Sequence, residues 1–383
     1  MSERHNRGVT WSKNVVVALS GGVDSSVVAW RLREDGYNVK AVFMKNWEED
    51  DREGYCAAAT DLADAEQVCR TLDIELTTVN LATEYWDNVF KHFLDEYKRG
   101  RTPNPDVLCN REIKFDALTE FALNSATDRL ATGHYARLDT TDTAIRLLKA
   151  EDSNKDQTYF LHGLAQSQLK QVMFPLGDLT KDQVRRLASL AGLPTSKKKD
   201  STGICFIGER PFKNFLSQYL PSNPGPVLDT ENKLIGEHDG LAYYTPGQRQ
   251  GLGIGGGKGA SGEPWYVVRK HVETNTLIAA QGRNHPSLYS ENVSLTDVNW
   301  VSGQQPSLPL RCTSKIRYRQ NEQRCVVTKR TPDRLDVKFQ VAQWAPAPGQ
   351  SVVFYDEHVC LGGGVIEAVD SELPHYQAPQ ITC

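Results

Sequence analysis

One stretch constrains this chain more than any other: VVVALSGGVDSSVVAW, residues 15–30. A run of β-branched residues ends in a glycine pair, and a helical apolar pattern follows an aspartate. That is a strand, a tight turn and a helix in sixteen residues. Gly21 and Gly22 let the backbone approach an anion closely, because glycine lacks a Cβ and tolerates positive φ. The helix beginning near Ser25 offers unpaired N–H groups and the positive end of its dipole. Ser20, Ser25 and Ser26 add hydroxyl donors, while Asp24 can hold a Mg²⁺ against phosphates or cap the helix. The lysine-bearing string G-x-x-x-x-G-K-[ST] occurs nowhere in the chain. The segment therefore reads as a phosphate cradle without its own lysine.

The rest of the first half repeats the alternation. Val15–Leu19, Val39–Met44, Leu76–Asn80 and Leu130–Thr132 read as short buried strands. Helical patterns cover Ser26–Glu34, Ala57–Leu72, Trp86–Lys98 and Lys114–Leu123. Strands spaced by helices predict a parallel sheet covered on both faces, with ligands at the C-terminal strand ends. A further helix starts at a capping box, Thr180 with Gln183, and stops at Gly192 and Pro194.

After RPFKNFLSQYL the helical signal ends, and PSNPGPVLD is a Pro/Gly-rich joint. Short strand-like pieces follow, from LAYYT to SVVFY. The predicted fold class is α/β: an N-terminal parallel-sheet, Rossmann-like domain over 1–211, a small central mixed or β module over 212–284, and a C-terminal β-barrel over 285–383. With 383 residues, two or three domains are the natural expectation. No apolar run approaches the ~20 residues that span a bilayer. The opening MSERHNRGVTWSKN has no apolar signal core, so a cytoplasmic protein without membrane association is expected.

Eight cysteines, at 56, 69, 109, 205, 312, 325, 360 and 383, form no Cys-x-x-Cys and no zinc-type cluster. Reduced, mostly buried thiols are the expectation. Net charge is −4, yet Arg311–Arg330 carries seven basic residues against Glu322 alone, leaving the remainder at −10. Such a strip fits a polyanion footprint or a solvated sheet face about equally well.

SGGVDSS after a first strand resembles the loop of the PP-loop ATP pyrophosphatases, which split ATP between the α- and β-phosphates. That resemblance explains the absent lysine and implies a pyrophosphate cradle, while leaving amide, lysidine and thiolation chemistries open. FMKNWEEDD (43–51), GRTPNPDVLCNREIKF (100–115), ATGHYAR (131–137), DSNKDQTYFL (152–161) and KKDSTGICFIGER (198–210) follow in order. GEHDGLAYYTPGQRQGLGIGG (236–256), EPWYVV (263–268), KIRYRQ (315–320) and LGGGVI (361–366) come later. Together they resemble the bacterial tRNA-specific 2-thiouridylase family over nearly the whole chain.

Replacing the C2 oxygen of uridine by sulfur needs a leaving group, which adenylation supplies, and a sulfur nucleophile, which a cysteine persulfide supplies. Cys109 follows the TPNPD turn and precedes Arg111 and Lys114; Cys205 follows KKKDSTG. Nearby cations favour thiolates, although either cysteine alone is more often structural. The resemblance implies Cys109 as nucleophile, Cys205 as persulfide carrier, and Asp106 as an acid or base with a turn-forming alternative. It further implies ATP binding by Ala18, Leu19, Ser20, Gly21, Gly22, Val23, Asp24, Ser25, Met44 and Gly133. Asn104, Pro105 and Asp106 would meet the target base. His134, Lys155, Asp156, Gln157, Arg317, Tyr318 and Gln350 would meet tRNA, although a core role for His134 also fits. The implied cofactors are ATP with Mg²⁺, Asp24 being the candidate metal donor, with sulfur delivered as persulfide and no tightly bound group. The implied partners are tRNA, a cysteine desulfurase and sulfur-carrier proteins, with the enzyme itself a monomer. GLGIGG (251–256) satisfies G-x-G-x-x-G, but no helix signal follows, so it reads as a loop.

Overall fold

A computed structural model describes residues 13–48, 57–123, 128–200, 211–254 and 262–370. Cys56, Cys205 and Cys383 lie outside them. The first sheet is parallel, in the order β3-β2-β1-β4-β7. Its strands are β1 (Asn14–Ala18), β2 (Asn38–Lys45), β3 (Leu76–Asn80), β4 (Arg129–Ala131) and β7 (Val172–Met173). Val15, Val17, Val39 and Ala41 are buried in it beside Val27, Val28 and Leu32 of the following helix. That helix, α1 (Val23–Glu34), begins three residues before the Ser26–Glu34 pattern read from the sequence. Gly22 is extended at its N-cap, and Ser26 N–H already donates to Gly22 O, so the turn runs straight into helix. Helix α2 (Ala57–Leu72) runs on before β3. Residues 82–98 and 105–122 form two longer helical runs, each containing a π-helical stretch, Trp86–Phe90 and Cys109–Ala117.

The central module is a four-stranded sheet, β10-β11-β8-β9. It comprises β8 (Gly225–Leu228), β9 (Leu234–His238), β10 (Trp265–His271) and β11 (Thr276–Gln281). The C-terminal unit is built from β12 (Tyr289–Trp300), β13 (Leu310–Lys315), β14 (Gln323–Thr331), β15 (Arg334–Trp344), β16 (Ser351–Asp356) and β17 (Val359–Val369). The order β12-β15-β14-β13-β16-β17 closes through an additional β12–β17 pairing, making an antiparallel barrel. Closure removes the exposed edges that would otherwise invite strand addition. Leu295, Val327, Val337, Val352, Phe354 and Ile366 fill the interior.

Two short strands of the first half join this barrel. β5 (Arg137–Thr140) and β6 (Ile145–Leu148) form a hairpin whose Leu147 and Leu148 pair with Cys360 and Val359 of β17. Sequence periodicity does not reveal them, because four-residue strands of mixed polarity have little pattern and their partner is remote. No helix among the described residues is long and apolar enough to cross a membrane.

Candidate active site

The loop after β1 turns sharply. Gly21 has φ +69°, and a Cβ there would lie 2.2 Å from the carbonyl oxygen of Asp61 in α2, so glycine is required twice over. The serines tie the loop to itself. Ser20 N–H donates to Ser25 Oγ (3.1 Å), while the Ser25 and Ser26 hydroxyls donate to Gly22 O (3.2 and 2.8 Å). Asp24 lies in the first turn of α1 and makes no N-cap hydrogen bond. Its carboxylate accepts from Tyr135 Oη (2.8 Å) and from Lys181 Nζ at both oxygens (2.7 and 2.8 Å).

Lys181 is the residue that sequence reasoning missed. It opens the helix Lys181–Leu190, whose capping box at Thr180 and Gln183 forms as expected. The same ammonium lies 2.8 Å from Asp200 Oδ1. Asp200 also takes Lys155 Nζ (2.6 Å) and Arg185 (2.7 Å). Burial works against the charge on Asp200, but hydrogen bonds from Lys155 and Lys181 hold its carboxyl down to about 2. Lys198, two residues before it, donates to Gly21 O (3.0 Å), to Asp61 (2.8 Å) and to Asp64. The 198–200 stem is thus fastened to the loop after β1 by a hydrogen bond and to α1 and α2 by ion pairs. On the far side of 201–210, Phe215 and Tyr219 pack against Trp47 and Phe90.

Cys109 sits elsewhere in character. It is 1% exposed, within the core that holds Phe93, Ile113 and Phe115. The turn before it is well defined: Asn104 is the N-cap, its side chain accepts from Asp106 N–H (3.2 Å), and Pro105 occupies the first helical position. The barrel supports this turn. Thr102 N–H donates to Pro348 O (2.7 Å) and Gln350 Nε2 to Thr102 O (2.8 Å). Arg111 pairs with Glu112 and, across the domain junction, with Asp297 of β12.

One segment touches both halves. A Cβ on Gly133 would meet Ser25 N at 3.0 Å and Asp24 Cβ at 3.1 Å, so the end of β4 lies directly on the loop. His134 packs beside Phe115 of the Cys109 helix, ring centroids 5.5 Å apart, and pairs with Thr132 Oγ1 (2.8 Å). Desolvation, with a contribution from Lys114, pushes the His134 pKa well below its ordinary value. It is therefore neutral at pH 7. Tyr135 then reaches Asp24.

The remaining expected residues fall into two groups. Met44 lies near the C-terminal end of β2, half-buried on the sheet. Lys155 is held by Asp200 as above. Asp156 is buried and accepts from Ala150 N–H and from Thr158, and Gln157 Oε1 accepts from Tyr135 N–H. Arg317 donates to Pro246 O (3.0 Å) and Ala345 O (2.8 Å), bracing the barrel against the central module. Tyr318 packs on Phe160, centroids 4.6 Å apart. Cys205 lies outside the described residues. Lys181 leaves no local sequence signal; the only hint is the loop's own missing lysine.

Comparison with known families agrees with this architecture. Residues 13–209 match the family described as tRNA methyl transferase HUP domain, 213–281 its PRC-barrel domain, and 290–366 an aminomethyltransferase β-barrel domain. The chain is 56% identical to the tRNA-specific 2-thiouridylase MnmA of Idiomarina loihiensis over 93% of its own length and 96% of the relative's. It is 56% identical to that of Serratia proteamaculans, over 93% and 97%. Among solved structures, the U34-tRNA thiolase NcsA from Methanococcus maripaludis superposes with a TM-score of 0.31 at 21% identity, covering 50% of this chain and 61% of that one, too little to argue from. On the strength of the near full-length identity, this chain belongs to the tRNA-specific 2-thiouridylase family.

Proposed function

We propose that the protein replaces the C2 oxygen of the wobble uridine of tRNA with sulfur, at the expense of ATP. The observation that carries the reading is the 132–135 segment, which abuts the phosphate loop through Gly133 and the Cys109 helix through His134. A phosphate site and a buried thiol joined through four residues suit a reaction in which an activated base passes from one to the other. The matching family descriptions speak of methyl transfer, but a pyrophosphate cradle serves adenylation and has no use in methyl transfer.

The loop 18–25 would hold the departing pyrophosphate through its N–H groups and the α1 dipole. Mg²⁺ bound with the nucleotide would neutralise phosphate charge, and Asp24, a hard oxygen donor in the first turn, fits the role of holding it. Lys181, already on Asp24, would supply in space the cation that the loop lacks in sequence. The uridine oxygen attacks the α-phosphate, releasing pyrophosphate. The terminal sulfur of a Cys205 persulfide then attacks C2 and expels AMP. Finally the Cys109 thiolate attacks the Cys205 sulfur, forming a disulfide and freeing 2-thiouridine. A thiol reductant and a sulfur donor, a desulfurase relay in this reading, reset both cysteines.

Asn104, Pro105 and Asp106 are offered for the base. Lys155, Arg317, Tyr318 and Gln350 are offered for tRNA, with phosphate contacts setting register and the flipped base read in the pocket. Mass spectrometry of tRNA nucleosides after incubation with ATP, Mg²⁺ and a sulfane-sulfur donor (cysteine with a cysteine desulfurase) tests the reading. It expects 2-thiouridine together with AMP and pyrophosphate; no 2-thiouridine with an active donor overturns it.

A further inference from the structure

The barrel carries two thiols that this reaction does not use. Cys312 on β13 and Cys325 on β14 stand directly opposite each other in register. Their Sγ atoms are 3.7 Å apart. Opposed residues of an antiparallel pair have Cα atoms about 4.5–5.5 Å apart, inside the range of about 4.4–6.8 Å that a disulfide spans. Bringing the two sulfurs to bonding distance therefore asks for side-chain rotation and no strand movement. Cys325 is buried among barrel core residues, and Cys312 is half-buried against the same cluster. Both line a cleft of about 760 Å³ that also meets Arg324, Lys338 and Tyr355. A cleft of that size admits a molecule as large as a tripeptide thiol.

We propose that Cys312 and Cys325 form a reversible dithiol–disulfide couple that takes a low-molecular-weight disulfide, such as glutathione disulfide, as its oxidant. The more exposed Cys312 exchanges first. Its thiolate attacks one sulfur of the small disulfide, releasing one thiolate and leaving a mixed disulfide. The Cys325 thiolate then attacks the Cys312 sulfur, forming the cross-strand bond and releasing the second thiolate. Two cysteine protons pass to the two released thiolates, and two electrons move from the cysteines to the oxidant. Disulfides of this kind in a reducing compartment are transient rather than structural. The couple lies at the base of the turn 316–322, where β13 ends and β14 begins. Oxidation would fasten the base of the hairpin whose turn carries Arg317, braced on Pro246 and Ala345, and Tyr318, packed on Phe160.

The test is thiol mapping of the full-length protein. After equilibration in glutathione disulfide, alkylation of Cys312 and Cys325 falls together by about tenfold or more, a 312–325 cross-linked peptide appears, and dithiothreitol reverses both. Cys312→Ser removes the cross-link and leaves Cys325 alkylatable. Cys325→Ala removes it and leaves Cys312 as a stable glutathione adduct. Full alkylation of both residues in the oxidising buffer overturns the proposal, as does a persistent adduct on Cys312 of the unsubstituted protein with no cross-link. The mapping of the unsubstituted protein decides the matter even if a variant fails to fold. It requires no tRNA, so its outcome is separate from that of the thiolation assay.

Discussion

Around Asp24 the chain is held by charge; around Cys109 it is held by packing. The loop after β1 with α1, α2, the Lys181 helix and the 198–200 stem meet through Asp24, Lys181, Asp200, Lys155, Arg185, Lys198, Asp61 and Asp64. Val23, Ala65, Val68, Val184 and Ala188 pack beneath that junction, and the charges form its outer layer. The Cys109 turn instead rests on a proline N1 position, an asparagine cap, aromatic rings and two backbone carbonyls that accept from the barrel side. Ion pairs can be exchanged for a phosphate or a metal without repacking, whereas a close-packed turn cannot move by small steps. The difference suits a site where charged substrates come and go at one end while a thiol keeps its address at the other.

Four substitutions test that contrast, from the largest expected effect to the smallest. Cys109→Ser should leave the packing and pyrophosphate release nearly intact yet cut 2-thiouridine formation by about 10³-fold or more. Parallel loss of both activities would mean the turn is also part of the nucleotide end. Gly21→Ala forces a side chain onto the Asp61 carbonyl at a positive φ, costing roughly 1–3 kcal/mol of strain. Misplacing the loop should lower pyrophosphate release by about 10²-fold, read in a radiolabelled ATP assay.

Lys181→Met removes hydrogen bonds to two carboxylates, a loss of about 1–3 kcal/mol in denaturant unfolding. It should raise the KM for ATP while leaving that for tRNA unchanged. The variant also flattens the acid limb of stability. Asp200 has a depressed folded pKa, so its contribution is complete above the unfolded value of about 3.9 and fades as pH falls toward its folded pKa of about 2. Gln350→Ala loses the prop under Thr102 and should cost about 0.5–1.5 kcal/mol. A fall in kcat assigns Gln350 to holding the turn, whereas a rise in KM for tRNA assigns it to contact.

Four strands of the parallel sheet are readable because apolar runs alternate with helical patterns, and the loop because glycine, serine and aspartate sit at fixed offsets; the fifth, β7, is two residues long and leaves no pattern. The Lys181–Asp24 contact was not, since 157 residues separate the pair and a lysine after a capping threonine looks like any helix start. Likewise Arg111 and Lys198 read as cations poised to favour thiolates. The fold commits Arg111 to Glu112 and Asp297, and Lys198 to Asp61 and Asp64. Sequence displays the sign of a charge but not the carboxylate it ends up facing.

The hairpin β5–β6 bears on how the molecule is made. Its leucines find their strand only when Val359 and Cys360 exist, some two hundred residues downstream. At roughly 5–20 residues per second, a ribosome leaves that edge without its partner for about 10–40 s. The first domain thus emerges with an unpaired strand beside its newly formed site, and the last strand of the barrel is what seals it. A chain truncated before β17 would be a sticky intermediate rather than a smaller enzyme, and quality control would meet it as such.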